Sequence, residues 1–288
     1  MMYRLGWHCV VLVAAGVLPA AGSRTAAEAL TIYEIQYTED ASGAGPLAGQ
    51  IVDCAGGIVT HKFPGFKPKL TLQNPDFPDG WGAIQVKDWT GGLELFDSVD
   101  VGDWVSLINV ELEEAYGNTL LHYKSGNQAG YDRLSTGNPL PPHRLVALDE
   151  IAAPVEGPPG EWYVADRSAE KYEAMRLKIL DVTVTDVNLG NFRDNYNLRG
   201  QAGDVWAGDY MNVDCIDVYH PYISVGAHFE SVSGILEQYL RVGEYDYYQL
   251  LTTETSDLVI PEPTSLMILL AAGLALAAKR STRKSPAD

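Results

Sequence analysis

The sequence predicts an all-β protein: two small five-stranded barrels in tandem, carried between two apolar chain ends. Three observations predict it. Short segments alternating apolar and polar residues recur along the body, separated by Gly, Pro, Asn and Asp. Sixteen tyrosines and 28 glycines beside 20% charged residues suit strands and turns better than helices. The order of segments also repeats: Val101-Gly102 to Glu113 (VGDWVSLINVELE) returns as Val225-Gly226 to Glu237 (VGAHFESVSGILE).

The first barrel is expected over residues 30–135. Thr31 to Tyr37 alternates and reads as an opening strand. Gln50 to His61 is a long strand, and its central Gly56-Gly57 marks the sharp bend a small barrel needs to close. Pro64, Pro68, Pro75 and Pro78 mark a wandering loop. Trp81 to Asp88 alternates cleanly, Thr90-Gly91-Gly92 turns, and Leu93 to Phe96 follows as a short strand. Trp104 to Glu113 is a strand whose apolar phase slips between Leu107 and Ile108, a bulge signal. Gly117-Asn118 turns the chain into Thr119 to Tyr123.

Residues 136–170 read as a Pro-rich linker with short helices, the best candidate helix beginning at Asp166 and ending at Met175. The second barrel is expected over residues 171–260. Arg176 to Thr185 matches the first long strand, Asn195 to Arg199 and Val205 to Tyr219 supply the middle, and Tyr245 to Thr252 returns.

The chain ends give an address. Residues 1–29 carry Arg4, an apolar run from Trp7 to Leu18, and Ala27-Glu28-Ala29, an A-x-A cleavage pattern; a retained N-terminal anchor is the alternative. At residues 261–288, Pro261, Glu262 and Pro263 precede an uncharged stretch from Thr264 to Ala278. Lys279, Arg280, Arg283 and Lys284 close it. Basic residues beside an apolar helix stay on the cytoplasmic side, and the apolar run is short of the ~20 residues of a comfortable span. It suits a transient stop, removed later, better than a lasting anchor.

Charge bounds the partners. The whole chain carries −18, and between Leu30 and Ile260 there are 35 acidic and 14 basic residues, a net −21. Such a body repels phosphate, so nucleic acid is an opposed partner. Cys54 and Cys215, each within Val-Asp-Cys, are the cysteines left after removal of the leader. In an oxidising compartment they can pair, or stay as two buried thiols. Asp76 and Asp79, and Asp97, Asp100 and Asp103, are conceivable calcium ligands. Neither stretch has the Glu at the twelfth place of an EF-hand, and solvated acidic loops are the simpler reading. No cofactor, metal or enzymatic activity is expected, since none of the histidines stands in H-E-x-x-H or near G-x-S-x-G.

Two resemblances extend this reading. The order Pro261-Glu262-Pro263, apolar helix and basic tail resembles the PEP-CTERM sorting signal of bacteria. It implies export, transient residence in the inner membrane and cleavage by an exosortase, leaving the protein at the cell surface or secreted. The body resembles the OB-like domains of bacterial exported nucleases and related surface proteins, at Pro46 to Val52, Gly57 to Thr60, Ile84 to Asp88, Val101 to Val105 and Ala169 to Leu177. This implies nucleic-acid or sugar binding without a catalytic domain. OB-folds bind on the face of strands two and three, which would show Trp81, Gln85, Lys87 and Phe96 in the first copy. Asn197 and Arg199 would face outward in the second. The expected function is an exported, non-enzymatic binding or structural module, with extracellular polysaccharide as the partner. A nucleic-acid-binding accessory and a hydrolase with an unrecognised site are the alternatives.

Overall fold

The structure is a computed structural model that describes residues 29–64, 68–90, 94–152, 154–158, 161–164, 166–187, 195–208, 223–241 and 245–261. The leader up to residue 28, Cys215 and the sorting tail from Glu262 onward lie outside the described residues. Among the described residues no helix is long and apolar enough to cross a membrane.

The body is mostly strand. A five-residue helix, α1 (Ile32–Gln36), opens it, followed by β1 (Ile51–Phe63), β2 (Lys69–Gln73) and β3 (Ala83–Thr90). A second short helix, α2 (Glu94–Ser98), leads into β4 (Trp104–Ala115), β5 (Asn118–Lys124) and β6 (Gly130–Ser135). Strand pairing runs β1-β2-β3-β5-β4, and β4 pairs back onto β1, closing a five-stranded barrel. β6 adds to the outer side of β4. β3 and β5 are parallel and the other pairs antiparallel.

Closure depends on the bend in β1, and the bend depends on glycine. Gly56 has φ of +77°, a conformation costly for other residues. A Cβ there would sit 1.6 Å from the Val105 carbonyl oxygen, and one on Gly57 would sit 2.7 Å from the Gln73 backbone. The two glycines therefore let β1 pass close to β4 on one side and β2 on the other. A bulge in β4 completes the fit. Ile108 and Asn109 oppose the single residue Asp53, Asn109 takes φ of +53°, and its N–H donates to Asp53 Oδ1 at 2.8 Å.

After β6 come β7 (Arg144–Leu145), the hairpin of β8 (Pro154–Glu156) and β9 (Trp162–Val164), then β10 (Arg176–Val187), β11 (Tyr196–Gly200) and β12 (Gly203–Gly208). β13 (His228–Arg241), β14 (Tyr245–Leu251) and β15 (Leu258–Val259) finish the described chain. The second sheet repeats the pairing order of the first. β10-β11-β12-β14-β13 run side by side, β13 pairs back onto β10, and β12 and β14 are parallel. Each ring has its own core. Val59, Leu72, Ile84, Val105 and Leu121 are buried in the first, and Leu177, Tyr196, Phe229, Leu236 and Tyr247 in the second.

Several segments differ from expectation. Thr31 to Tyr37 is helical: the Thr31 side chain accepts the Glu34 N–H at 3.2 Å, and Glu34 Oε2 accepts the Thr31 N–H at 2.8 Å. That capping box outweighs the alternation. Glu94–Ser98 is likewise helix. The proline-flanked stretch expected as loop contains β2. Residues of the expected linker pack into the second core, with Val146, Leu148, Ile151 and Val164 buried, and the candidate helix from Asp166 is a single 3-10 turn at Ser168–Tyr172.

The two rings meet along a polar and aromatic seam. Lys69 pairs with Glu237 at 3.1 Å. Asn118 donates from Nδ2 to the Gln238 carbonyl at 2.6 Å and accepts the Gln238 N–H at 3.1 Å. The Leu240 N–H reaches the Tyr116 carbonyl at 2.7 Å, and the Tyr116 and Tyr239 rings stack at 6.0 Å. Phe63 packs against Ile235 and Leu251.

Candidate functional site

Most residues expected on the ligand faces are engaged by other parts of the chain. Gln85 and Lys87 lie on β3 at 2% and 4% exposure. Lys69 Nζ donates to Gln85 Oε1 at 3.2 Å and is itself held by Glu237 of the second ring, while Lys87 lies 3.5 Å from Glu113. Phe96 is half-buried under the Lys62 ammonium, 4.6 Å from its ring centre. In the second ring Asn197 donates to Thr185 Oγ1 at 2.7 Å, and exposed Arg199 forks onto both oxygens of Asp204. Trp162 of β9 packs edge-on over Trp206 of β12 at 4.9 Å. Of the six expected ligand-face residues, Trp81 alone lies on the aromatic surface described next.

That surface is built by α1 and the loop between β2 and β3. Tyr33 and Tyr37 are four residues apart, so the helix sets both rings on one side; they stack at 5.3 Å between centroids. The loop supplies Phe77, stacked on Tyr33 at 5.0 Å, and Trp81, edge-on to Tyr37 at 5.7 Å. Tyr37 is 39% exposed and the other three are half-buried. The four rings form a continuous half-exposed platform.

The loop holds its shape through its own backbone and through the second ring. Asn74 Oδ1 accepts the Asp76 N–H at 3.0 Å, and the Asn74 carbonyl accepts the Phe77 N–H at 3.3 Å. A Cβ on Gly82 would lie 2.4 Å from the Phe77 carbonyl oxygen. Trp81 takes φ of +60°, and its N–H donates to the Lys171 carbonyl at 2.5 Å. Arg144 donates to Asp79 and to the Pro78 carbonyl. A left-handed backbone costs a bulky residue roughly 1–2 kcal/mol, so contacts from the other ring hold Trp81 in place.

Acidic groups surround the rings. Glu39 accepts the Tyr37 hydroxyl at 2.8 Å, and that bond and the carboxylate's charge push the phenol pKa up. Hydrogen bonds from Thr31 hold Glu34 below the usual carboxylate range, so it stays ionised. On the other side of the loop is a cleft of about 380 Å³, bounded by Pro75, Pro78, Pro142, His143 and Arg144. Burial, with Arg176 and Lys178 nearby, presses the His143 pKa down to about 4, so its imidazole is neutral at pH 7.

Two of the candidate calcium aspartates, Asp79 and Asp103, have other partners. Asp103 Oδ2 accepts the Asp100 N–H at 3.0 Å and lies 3.5 Å from Arg133, and Asp79 pairs with Arg144. Among the described residues no group of three His, Cys, Asp or Glu is arranged to hold a metal. Cys54 is a buried free thiol whose pKa burial raises to about 12.

No protein family and no curated protein matches the chain. Solved structures similar to it include a murine DNA-binding protein bound to double-stranded DNA, 9% identical, covering 69% of this chain and 89% of that one, with a TM-score of 0.33. Fission yeast Pot1 with single-stranded DNA is 15% identical, covering 71% and 79%, with a TM-score of 0.29. A Replication Protein A heterotrimer bound to single-stranded DNA is 9% identical, covering 86% and 72%, at 0.25. At scores this low, the fold rests on the strand pairing of this chain, and no ligand follows from the likeness.

Proposed function

We propose that the protein is a non-enzymatic binding module of the cell exterior, built as two tandem OB-like barrels, whose aromatic platform takes the rings of a polysaccharide. The observation that carries this reading is Trp81. A half-exposed tryptophan held in a left-handed backbone by another part of the chain is a strained feature of the kind that clusters at binding sites. Beside Tyr33, Tyr37 and Phe77 it presents flat apolar surface to solvent. Acidic neighbours and the net −21 favour an uncharged or weakly charged sugar polymer over a polyphosphate.

Single-stranded nucleic acid is the second reading, favoured by the same four rings, since any base can stack on an aromatic face for about 1–3 kcal/mol. Binding of neutral glycans and of single-stranded DNA, measured from ~50 mM salt upward, separates the two. The proposal expects glycan binding that is insensitive to salt and weakens about tenfold or more in Trp81→Ala. DNA binding at low salt without glycan binding installs the second reading, and neither ligand binding removes both.

Export and sorting complete the proposal. The apolar leader and the Pro261-Glu262-Pro263 tail support delivery across the inner membrane and processing by an exosortase. Changing those three residues to alanine should leave an uncleaved, membrane-held form; an unchanged mature mass would show that processing occurs elsewhere.

A further inference from the structure

The seam between the rings contains carboxylates that have little reason to be there. Glu173, 2% exposed, follows the 3-10 turn Ser168–Tyr172, and Glu170, 5% exposed, lies within it. One oxygen of Glu173 accepts the Thr119 N–H of β5 at 3.2 Å; the other has no hydrogen-bond partner among the described residues. Glu170 accepts the Tyr248 hydroxyl of β14 at 2.6 Å, and Gly43 lies so close that a Cβ on it would sit 2.7 Å from the Glu170 carboxyl carbon. Glu114 of β4 accepts the Gly45 N–H at 2.9 Å and the Thr119 hydroxyl at 2.7 Å. Both rings thus converge on one acidic cluster.

We propose that Glu170 and Glu173 form a proton-operated latch between the two rings, closed when they are protonated and loosened when both ionise. Two buried carboxylates side by side in a poorly hydrated seam cannot both be charged cheaply. The groups facing Glu173 are Glu170 from its own turn, Glu114 from β4 and Glu237 from β13, all of which raise its proton affinity; the Thr119 N–H acts the other way. Facing Glu170 are Glu114 and Asp246, which raise its proton affinity, and the Tyr248 hydroxyl and Arg167, which lower it. The cations of the seam are committed to other carboxylates, Lys69 to Glu237 and Arg167 to Asp246. Burial is the largest effect on both, carrying Glu170 up to about 7 and Glu173 well above the ordinary carboxylate range.

Carboxyls that bind protons more tightly in the closed seam stabilise it fully below their ordinary value of 4.5, and that stabilisation fades as pH rises through about 7. The turn bearing both glutamates also supplies the Lys171 carbonyl that fixes Trp81, so opening the seam frees the aromatic loop.

Hydrogen exchange of the purified protein tests this without any ligand, using protection corrected for the intrinsic rate at each pH. Between pH 5.5 and 8.5 the amides of Trp81, Gln238 and Leu240, which bond across the seam, should lose about tenfold or more of their protection. Amides paired between β2 and β3, inside the first barrel, should hold theirs. Glu173→Gln and Glu170→Gln each place a neutral amide where the proton would be, and either should flatten the pH response. If one variant does not fold, the other decides. Seam protection independent of pH in the wild-type protein, an equal fall at the β2–β3 amides, or a response unchanged in the folded variants would overturn the latch.

Discussion

Gly56 shows how one residue decides whether a barrel exists. Its φ of +77° and the Val105 carbonyl 1.6 Å from any Cβ leave no room for a side chain. Gly56→Ala should therefore destabilise the protein by about 4 kcal/mol or more, read as a lowered denaturant midpoint with the slope retained. The bend was legible in the sequence because paired glycines weaken a strand, and an alternating strand keeps them only where the backbone must turn or pass close to a neighbour. Trp81 was expected at the start of a strand, but the strand begins at Ala83 and Trp81 lies in the preceding loop with a left-handed backbone; its companions on the platform were not legible. Tyr33 and Tyr37 read as alternating strand positions, and only their four-residue spacing, taken as helical, brings them together. Phe77 carried no signal, since its place beside Tyr33 is fixed by a loop whose shape depends on Lys171 and Arg144, far along the chain.

Among the elements, α1 is too short to be stable alone, and its existence rests on a cap and on burial of Ile32 and Ile35. Thr31→Ala should cost roughly 1 kcal/mol and tilt Tyr33 off Phe77, lowering any affinity of the platform without unfolding the barrel. A two-point measurement, thermal stability and ligand titration on the same sample, checks both halves. β2 escaped notice because Lys69–Gln73 sits between pairs of prolines, and proline is the strongest loop signal a sequence carries. The prolines do lie outside the strand; five residues were too few to outweigh them. The covering of the β3 face by β13 was likewise invisible, because Lys69 and Glu237 are brought together only by the docking of two complete rings.

At the scale of the whole molecule, opposing titrations shape stability. His143, held neutral by burial, favours the fold above its ordinary value of 6.5, and that contribution is lost as pH falls towards about 4. Glu170 and Glu173 act in the opposite sense, their contribution fading as pH rises above their ordinary value of 4.5 and through about 7. The melting temperature should therefore peak at mildly acidic pH and fall by several degrees on either side, on the order of 2–4 °C per kcal/mol for a chain of this size. His143→Gln should flatten the acidic limb alone. The recurrence of Val-Gly and Leu-Glu in matching order falls just before and within the closing long strands β4 and β13, each of which pairs back onto the first long strand of its sheet.

Because each ring lends the other its covering, neither half is self-sufficient. A polypeptide ending after β6 would leave Lys69 and Gln85 facing water with no Glu237, and its counterpart would bear Glu173 and Tyr239 bare. The halves expressed separately should aggregate or bind chaperones, whereas mixed from denaturant they should reassemble as a stoichiometric pair. Evolution could not shuffle either ring into a new protein without first repainting its inner wall, nor trim the connecting passage without losing Val146, Leu148 and Ile151 from the second core.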